Sequence, residues 1–294
     1  MSFYPSTMGA SGSTFLLDGI ACKKDLNIHF FVEDENRHEN IATTLIKAVN
    51  YRSQVYAISQ GSNRVYKFDG AQFLEDSSMY IPQSPTNCSI FATDDMLVYT
   101  TTNDDNTTSF FYQGEVTNYK WVKGPDIPYR FCGAVAFFKD RFHIFGGSSL
   151  DDTDNSTTYG KFEIGDAEWT ILNDTLPFSF WHSITIVHDV MYFLGTGEMW
   201  GFDGASFRPF AEPPFELSKC VSIINVYDKF LCIGTDGTLN VFDIRTGIWN
   251  QVSGFSRKID SSYSGRLFKY NNGIFCLGLS SDLYKVCRFG YKEV

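Results

Sequence analysis

The hexapeptide Phe68-Asp69-Gly70-Ala71-Gln72-Phe73 returns with one change as Phe202-Asp203-Gly204-Ala205-Ser206-Phe207. Looser copies run from Phe162 to Trp169 (FEIGDAEW) and from Phe242 to Trp249 (FDIRTGIW). Each copy reads as a strand, a tight turn and a second strand that starts on an aromatic anchor. A phrase repeated down a chain constrains the fold more than any local motif, because one copy cannot bury its apolar face alone and must stack on its neighbours.

A second recurrence sets the length of the unit. Apolar runs that end near a Gly or a small polar residue surround Tyr56, Leu97, Phe142, Tyr192, Leu231 and Ile274, at intervals of 39 to 50 residues. Several of these runs follow another apolar run and a two-residue polar turn. Examples are Gly133–Phe138 then Lys139-Asp140, Ser183–Val187 then His188-Asp189, and Val221–Val226 then Tyr227-Asp228. Continuous apolar runs joined by a short turn predict a buried hairpin. The Phe-Asp-Gly phrase adds a third strand, and the anchor opens a fourth. Trp121, Trp169 and Trp249 fill the anchor slot, with Phe73 and Phe207 in their place elsewhere, and a bulky ring there can fill the gap between neighbouring sheets. Six such units match four-stranded antiparallel propeller blades, so the expected fold is an all-β, six-bladed β-propeller.

The last unit runs short. After Ile274 one strand remains, Leu283–Phe289, and the N-terminal run Leu26–Phe31 can complete its sheet. Phe15–Gly19 also mimics a third strand, so one or two N-terminal strands can close the last blade. Residues 1–13, with several Ser and Gly, are expected to be flexible, and 14–294 to form a single propeller domain.

Composition agrees and excludes several function classes. Aromatic residues make up 17% of the chain, with 28 Phe and 16 Tyr, as suits pleated, half-buried surfaces. The formal charge of −10 disfavours nucleic acid and anionic membranes as partners. No apolar run approaches the roughly 18 residues of a membrane span. The acidic pairs and triplets Glu33-Asp34-Glu35, Asp94-Asp95, Asp104-Asp105 and Asp151-Asp152 read as solvated turns. The N-terminus lacks the pattern of a signal peptide, and seven Cys without close pairs fit a reducing compartment, so a cytoplasmic location is expected. Sequons at Asn87, Asn106, Asn155 and Asn173 keep secretion as the alternative.

The segment from Pro128 to Gly147 (PYRFCGAVAFFKDRFHIFGG), followed by Tyr159 and Trp169, resembles a kelch repeat, with its double Gly, Tyr and Trp landmarks. Elsewhere the double Gly is replaced by Gly195-Thr196, Gly234-Thr235 and Thr100-Thr101. The resemblance implies a kelch-like propeller whose Arg130 occupies a position that often contacts ligand.

Catalytic motifs are scarce. There is no Gly-x-Ser-x-Gly elbow, Walker loop, His-Glu-x-x-His or Cys-x-x-Cys, and the non-enzymatic reading is preferred, with an enzymatic one kept as the alternative. His143 lies inside an expected strand and reads as a core residue, His188 as part of a turn. Cys88, Cys132 and Cys220 share one repeat position with His182, at the start of an inner strand. A ring of soft ligands is one reading, and packing by a small, weakly polar side chain is the preferred one. Asp151–Asn155 has the look of a calcium loop without its Gly and Glu, and reads as an exposed connection. No metal or cofactor is expected.

Loops leading into the inner strands gather on one face of a propeller, where a fixed frame carries variable sequence. The residues expected there as the partner-binding face are Asn87, Tyr129, Arg130, Phe180, Trp181, His182, Lys219 and Tyr263, with Gln83, Ser84, Phe131, Ser218, Ser262, Asn40 and Thr43 around them. Aromatic and Arg anchors suit a hot spot for a protein or acidic peptide. The expected function is therefore a monomeric, non-catalytic binding scaffold. The alternative is a kelch-type enzyme acting on a sugar or metabolite in the axial pocket, with His182, Arg130 and Glu212 or Asp126 as acid–base or anion-binding groups.

Overall fold

The computed structural model describes residues 27–38 and 45–292, apart from 60, 87, 106, 129–132, 147–156, 173–175, 178–179, 196–198, 211–219, 235–237, 253–266 and 278–281. The described chain is almost entirely strand. It begins with β1 (Asn27–His38), β2 (Leu45–Tyr51), β3 (Gln54–Ser59), β4 (Arg64–Phe68), β5 (Phe73–Tyr80), β6 (Ser89–Ala92), β7 (Met96–Thr102) and β8 (Thr108–Gly114). A 3-10 turn, Glu115–Thr117, precedes β9 (Val122–Lys123). Then follow β10 (Ala134–Phe138), β11 (Arg141–Phe145), β12 (Tyr159–Phe162), β13 (Thr170–Leu172), β14 (Phe180–Val187), β15 (Val190–Gly195), β16 (Met199–Phe202) and β17 (Phe207–Pro209). The chain ends with β18 (Cys220–Val226), β19 (Lys229–Gly234), β20 (Leu239–Asp243), β21 (Ile248–Val252), β22 (Leu267–Tyr270), β23 (Gly273–Leu277) and β24 (Asp282–Lys292).

Hydrogen bonding groups these strands into six four-stranded antiparallel sheets. Five are simple meanders, β2 to β5, β6 to β9, β10 to β13, β14 to β17 and β18 to β21, and the sixth has the order β1-β24-β23-β22. All six repeat markers fall in the second strand of a sheet, and the Phe-Asp-Gly phrase ends the third strand where expected: Phe68 closes β4 and Phe202 closes β16. The arrangement is propeller-like but counts five blades, one fewer than the six read from the repeat. The sixth sheet is the one that departs from the pattern. It draws strands from both chain ends, and β1 and β24 run 12 and 11 residues where no other strand exceeds 8. Among the described residues one N-terminal strand joins that sheet, at its outer edge. Glu33-Asp34-Glu35, expected in a turn, lie within β1. The expected flexible segment 1–13 and the strand mimic Phe15–Gly19 lie outside the described residues.

The chain divides into two compact units, with the boundary inside β14. The first three sheets belong to one unit and the last three to the other.

In the unit built from the first three sheets, the second sheet is buried on both faces. Val98, Phe110 and Tyr112 pack toward the third sheet with Val135, Phe142, Ile144, Phe162 and Trp169. Their sequence neighbours Tyr99 and Phe111 pack toward the first sheet with Ile58, Val65 and Ile81. Alternation along a strand thus sends successive apolar side chains into two different cores, which is why the runs are continuous rather than alternating. Phe110 sits at the hub, edge-on to Phe142 at 5.0 Å and to Trp169 at 5.0 Å between centroids. The anchor tryptophans also tie sheets together through polar contacts. The indole N–H of Trp121 donates to the Tyr80 carbonyl at 2.6 Å, and that of Trp169 to the Pro125 carbonyl at 2.9 Å.

The other unit repeats this logic. Ile223, Phe230, Cys232 and Phe242 face the fourth sheet with Tyr192 and Met199, while Ile224, Leu231, Ile233 and Val241 face the sixth with Leu267, Ile274 and Cys276. The Leu267 amide donates to Ser222 Oγ at 3.3 Å, across the fifth and sixth sheets.

Two turn types recur among the sheets. The two-residue hairpin turns Arg52-Ser53, Lys139-Asp140 and His188-Asp189 hold both residues at φ between 50° and 61°. This is the twist-matched geometry of tight hairpins, accepted here without glycine. The Phe-Asp-Gly turn is held by its aspartate. Asp69 Oδ1 accepts from the amides of Ala71 and Gln72 at 2.7 and 2.9 Å, and Asp203 Oδ1 from those of Ala205 and Ser206 at 2.9 Å each. The Gln72 and Ala71 amides hold the Asp69 carboxyl below the usual carboxylate range. The following glycine sits at φ 104° in one copy and 95° in the other, where a side chain is strained.

Phe110→Ala should be the costliest truncation in its unit, at about 3–5 kcal/mol, because the ring is wholly buried between two sheets that cannot collapse onto the void. Denaturant unfolding checks this against Leu74→Ala, an exposed outer-strand residue expected to change stability by less than about 0.5 kcal/mol.

Candidate functional site

The face expected to bind a partner is formed by loops that lead into the first strand of each sheet. The loop described most fully is the one ahead of β6, from Ile81 to Cys88 with 87 left out. It is fastened to the ends of β7 and β8 by hydroxyl and amide groups. The Tyr99 hydroxyl donates to the Gln83 carbonyl at 3.0 Å. Thr101 Oγ1 accepts from the Thr86 amide at 2.9 Å and donates to the Ser84 carbonyl at 3.1 Å. The Thr102 amide donates to the Thr86 carbonyl at 2.8 Å. The Gln83 side-chain amide donates to Asn103 Oδ1 at 3.1 Å, and Ser109 Oγ donates to the same oxygen at 3.0 Å. The Thr100-Thr101 pair does here what glycine cannot: its hydroxyls satisfy backbone groups of the loop and of β6. The loop backbone is fixed, while Ser84 and Thr86 stay exposed.

Of the expected face residues, Phe180, Trp181 and His182 begin β14, at the mouth of an inner strand as read from the repeat. Asn87, Tyr129, Arg130, Lys219 and Tyr263 lie outside the described residues, as do Asn40, Thr43, Phe131, Ser218, Ser262, Glu212 and the Asp151–Asn155 loop. Asp126, an acid–base candidate in the enzymatic reading, is ion-paired with Lys123 at 3.0 Å on the surface.

The thiol position is described at Cys88. It is half-buried and packs on the core formed by Ile58, Val65, Ile81, Tyr99 and Phe111. Burial pushes its thiol up, against a smaller opposing effect of Lys47, which keeps it protonated and weakens it as a metal ligand. Cys220 opens β18, and Cys132 lies outside the described residues. Among the described residues no three His, Cys, Asp or Glu side chains converge in a way that could hold a metal ion.

His143 is a core histidine. It lies in β11 with 2% of its surface exposed. Its Nε2 contacts the Phe138 carbonyl at 3.1 Å and its Nδ1 the Tyr159 hydroxyl at 2.9 Å. A carbonyl only accepts, so Nε2 carries the hydrogen and Nδ1 accepts from Tyr159. Tyr159, in β12, is thereby bound to the neighbouring strand β11. Burial lowers the His143 pKa to about 4. His188, by contrast, is an exposed turn residue.

One charged group escaped the sequence reading. Lys229 and Asp243 face each other across β19 and β20 and form a nearly buried ion pair, and Arg245 pairs with Asp228 beside it. Burial pushes the Asp243 carboxyl up, but Lys229 and the amides of Arg245 and Thr246 outweigh that and hold it below its ordinary value. Asp243 is the turn aspartate of the fourth repeat copy, so the signal was present in the phrase. The register that brings Lys229 opposite was not.

No known family model matches this chain, and no curated protein does. Among solved structures it is similar to a structural genomics protein of unknown function from Bacteroides thetaiotaomicron VPI-5482, with a TM-score of 0.54 and 9% identity over 90% of this chain and 76% of that one. It also aligns with the computationally designed Ika8 protein, with a TM-score of 0.47 and 13% identity over 84% of this chain and 71% of that one. At such identity the first likeness concerns the fold alone. The propeller-like architecture stands, and the kelch resemblance rests on the Pro128–Gly147 segment and its landmarks. No helix among the described residues is long and apolar enough to cross a membrane.

His143 makes stability depend on pH with a definite sign. Its folded pKa of about 4 lies below the unfolded value of 6.5, so the unfolded chain binds the proton first as pH falls. Its full contribution is present above pH 6.5 and is lost between there and about pH 4, a total of about 3 kcal/mol. Urea unfolding of wild type and His143→Gln at pH 7.5, 5.5 and 4.5 should show the difference between them shrinking as the solution is acidified.

Proposed function

We propose that this chain is a non-catalytic binding scaffold that recognises a protein or peptide partner through the loops leading into the first strands of its sheets. The observation that carries the reading is the Ile81–Cys88 loop. Its carbonyls and amides are engaged by Tyr99, Thr101 and Thr102, which holds the loop rigid and leaves its tip side chains free for contact. A loop ordered in advance loses less entropy on association, which is how a shallow surface gains affinity. Repeat equivalence carries the idea to the corresponding positions, with Arg130 and Trp181 as the anchors, Lys219 as a cationic contact for an acidic partner, and Asn87, Tyr129, Phe180, His182 and Tyr263 around them.

In this proposal residues 14–294 act as one kelch-like propeller domain that is monomeric and cytoplasmic. The whole-chain repeat and the odd Cys count support it.

Arg130→Ala and Trp181→Ala should each weaken partner capture about 30-fold, or ~2 kcal/mol, with the thermal midpoint unchanged. Affinity capture with the wild-type chain, identification of the retained protein by mass spectrometry and titration of that protein against both variants test this. Undiminished binding by both variants would move the site off this face. Turnover of a sugar or metabolite abolished by His182→Ala would replace the scaffold reading with the enzymatic one.

A further inference from the structure

At the other end of the first two sheets, the hairpin turns assemble a cluster that the partner-binding reading does not use. Tyr51 ends β2, and Arg52-Ser53 form the turn into β3 with φ of 50° and 59°. In the second sheet the link from β8 to β9 abandons the aspartate turn of the repeat. It runs through the Glu115–Thr117 3-10 turn into Asn118 and Tyr119, at φ 48° and 55°. A tyrosine in the left-handed region is strained, and it is held there by its amide, which donates to the Gly114 carbonyl at 2.8 Å. The segment leaves Val116 68% and Tyr119 43% exposed.

Arg52 lies on Tyr119, with Cζ 3.9 Å from the ring centroid. Among the arginines whose side chains are described, Arg64, Arg141, Arg208 and Arg245 are all ion-paired, and Arg52 is not. Its guanidinium is spent on a ring face, which leaves the N–H edges unused. The preceding residue, Tyr51, is 4% exposed, and its hydroxyl is buried without a hydrogen-bond partner. A buried polar group left unsatisfied is rare and costly, and calls for an explanation. Arg52, Tyr119, Tyr56 and Asp95 all lie within electrostatic reach of that hydroxyl, and the Tyr51 and Tyr56 rings are 6.5 Å apart.

We propose that Tyr51, Arg52 and Tyr119 form a recognition site for a carboxylate group, which accepts from the Tyr51 hydroxyl and the Arg52 guanidinium beside the positive edge of the Tyr119 ring. A planar carboxylate matches the fork of a guanidinium, and the phenol supplies one further donor. Asp95 and the exposed Asp94 place negative charge nearby, which disfavours phosphate with its charge of about −1.5 to −2 more than a single carboxylate. The ligand reaches the hydroxyl when the exposed Arg52 side chain lifts from Tyr119. The carboxylate can come from an acidic protein segment or from a free organic acid, and the chemistry at the site is the same.

Calorimetric titration of the full chain with sodium acetate, with a capped peptide carrying one aspartate, and with sodium phosphate at matched ionic strength tests the proposal. At least one carboxylate probe should bind saturably and more tightly than phosphate, and Tyr51→Phe and Arg52→Gln should each weaken it tenfold or more. Tyr51→Phe removes only an unpaired hydroxyl, so its melting temperature should hold or rise and a loss of binding cannot be blamed on unfolding. Binding of the peptide without acetate would identify a protein segment as the source, and equal binding of both a free acid. Absence of saturable binding by either carboxylate, preference for phosphate, or an unchanged affinity in either variant would overturn the site.

Discussion

Burial of both faces of each inner strand is the constraint on which the rest of this structure depends. In β7 and β8, and again in β19 and β20, successive residues enter different cores, so none of these four strands has a solvent side on which polar residues could be placed freely. Such strands are stable only when a sheet lies on each side of them. Large rings serve the gaps between sheets well, since one Phe such as Phe110 touches Phe142, Phe162 and Trp169 from a single position. The abundance of Phe follows from that geometry.

With the faces committed to packing, polar work is pushed to the strand ends. There the chain satisfies its backbone by local means: aspartates cap the turns between third and fourth strands, left-handed pairs close the inner hairpins, and threonine hydroxyls fasten the loop ahead of β6. The indoles of Trp121 and Trp169 do both jobs, filling the gap between sheets and donating to a carbonyl of the preceding one. Function is then naturally sought where this self-sufficiency stops. Two places among the described residues where it stops are the exposed tip of the Ile81–Cys88 loop and the buried hydroxyl of Tyr51, next in sequence to Arg52.

Much of the fold was legible because it is periodic. The spacing of the markers located the second strand of every sheet, the Phe-Asp-Gly phrase located the turn between the third and fourth strands, and His143 read correctly as core because it sits in an unbroken apolar run. The candidate face was legible only as a set of equivalent positions, such as Phe180–His182 at the start of β14. The carboxylate site was not legible at all. Tyr51-Arg52 is an ordinary hairpin turn in sequence, and Tyr119 belongs to an insertion that breaks the repeat.

The sequence by itself determined an all-β chain of four-stranded units, because alternation, turn chemistry and repeat length are local properties that each segment carries with it. It also anticipated that an N-terminal strand completes the last sheet. Only the tertiary structure decided that β1 and β24 run far longer than the repeat anticipates, and which side chains meet across sheets. Those depend on register between segments far apart in sequence. A shift of one residue there sends every side chain to the opposite face, and no pattern within either segment reports it.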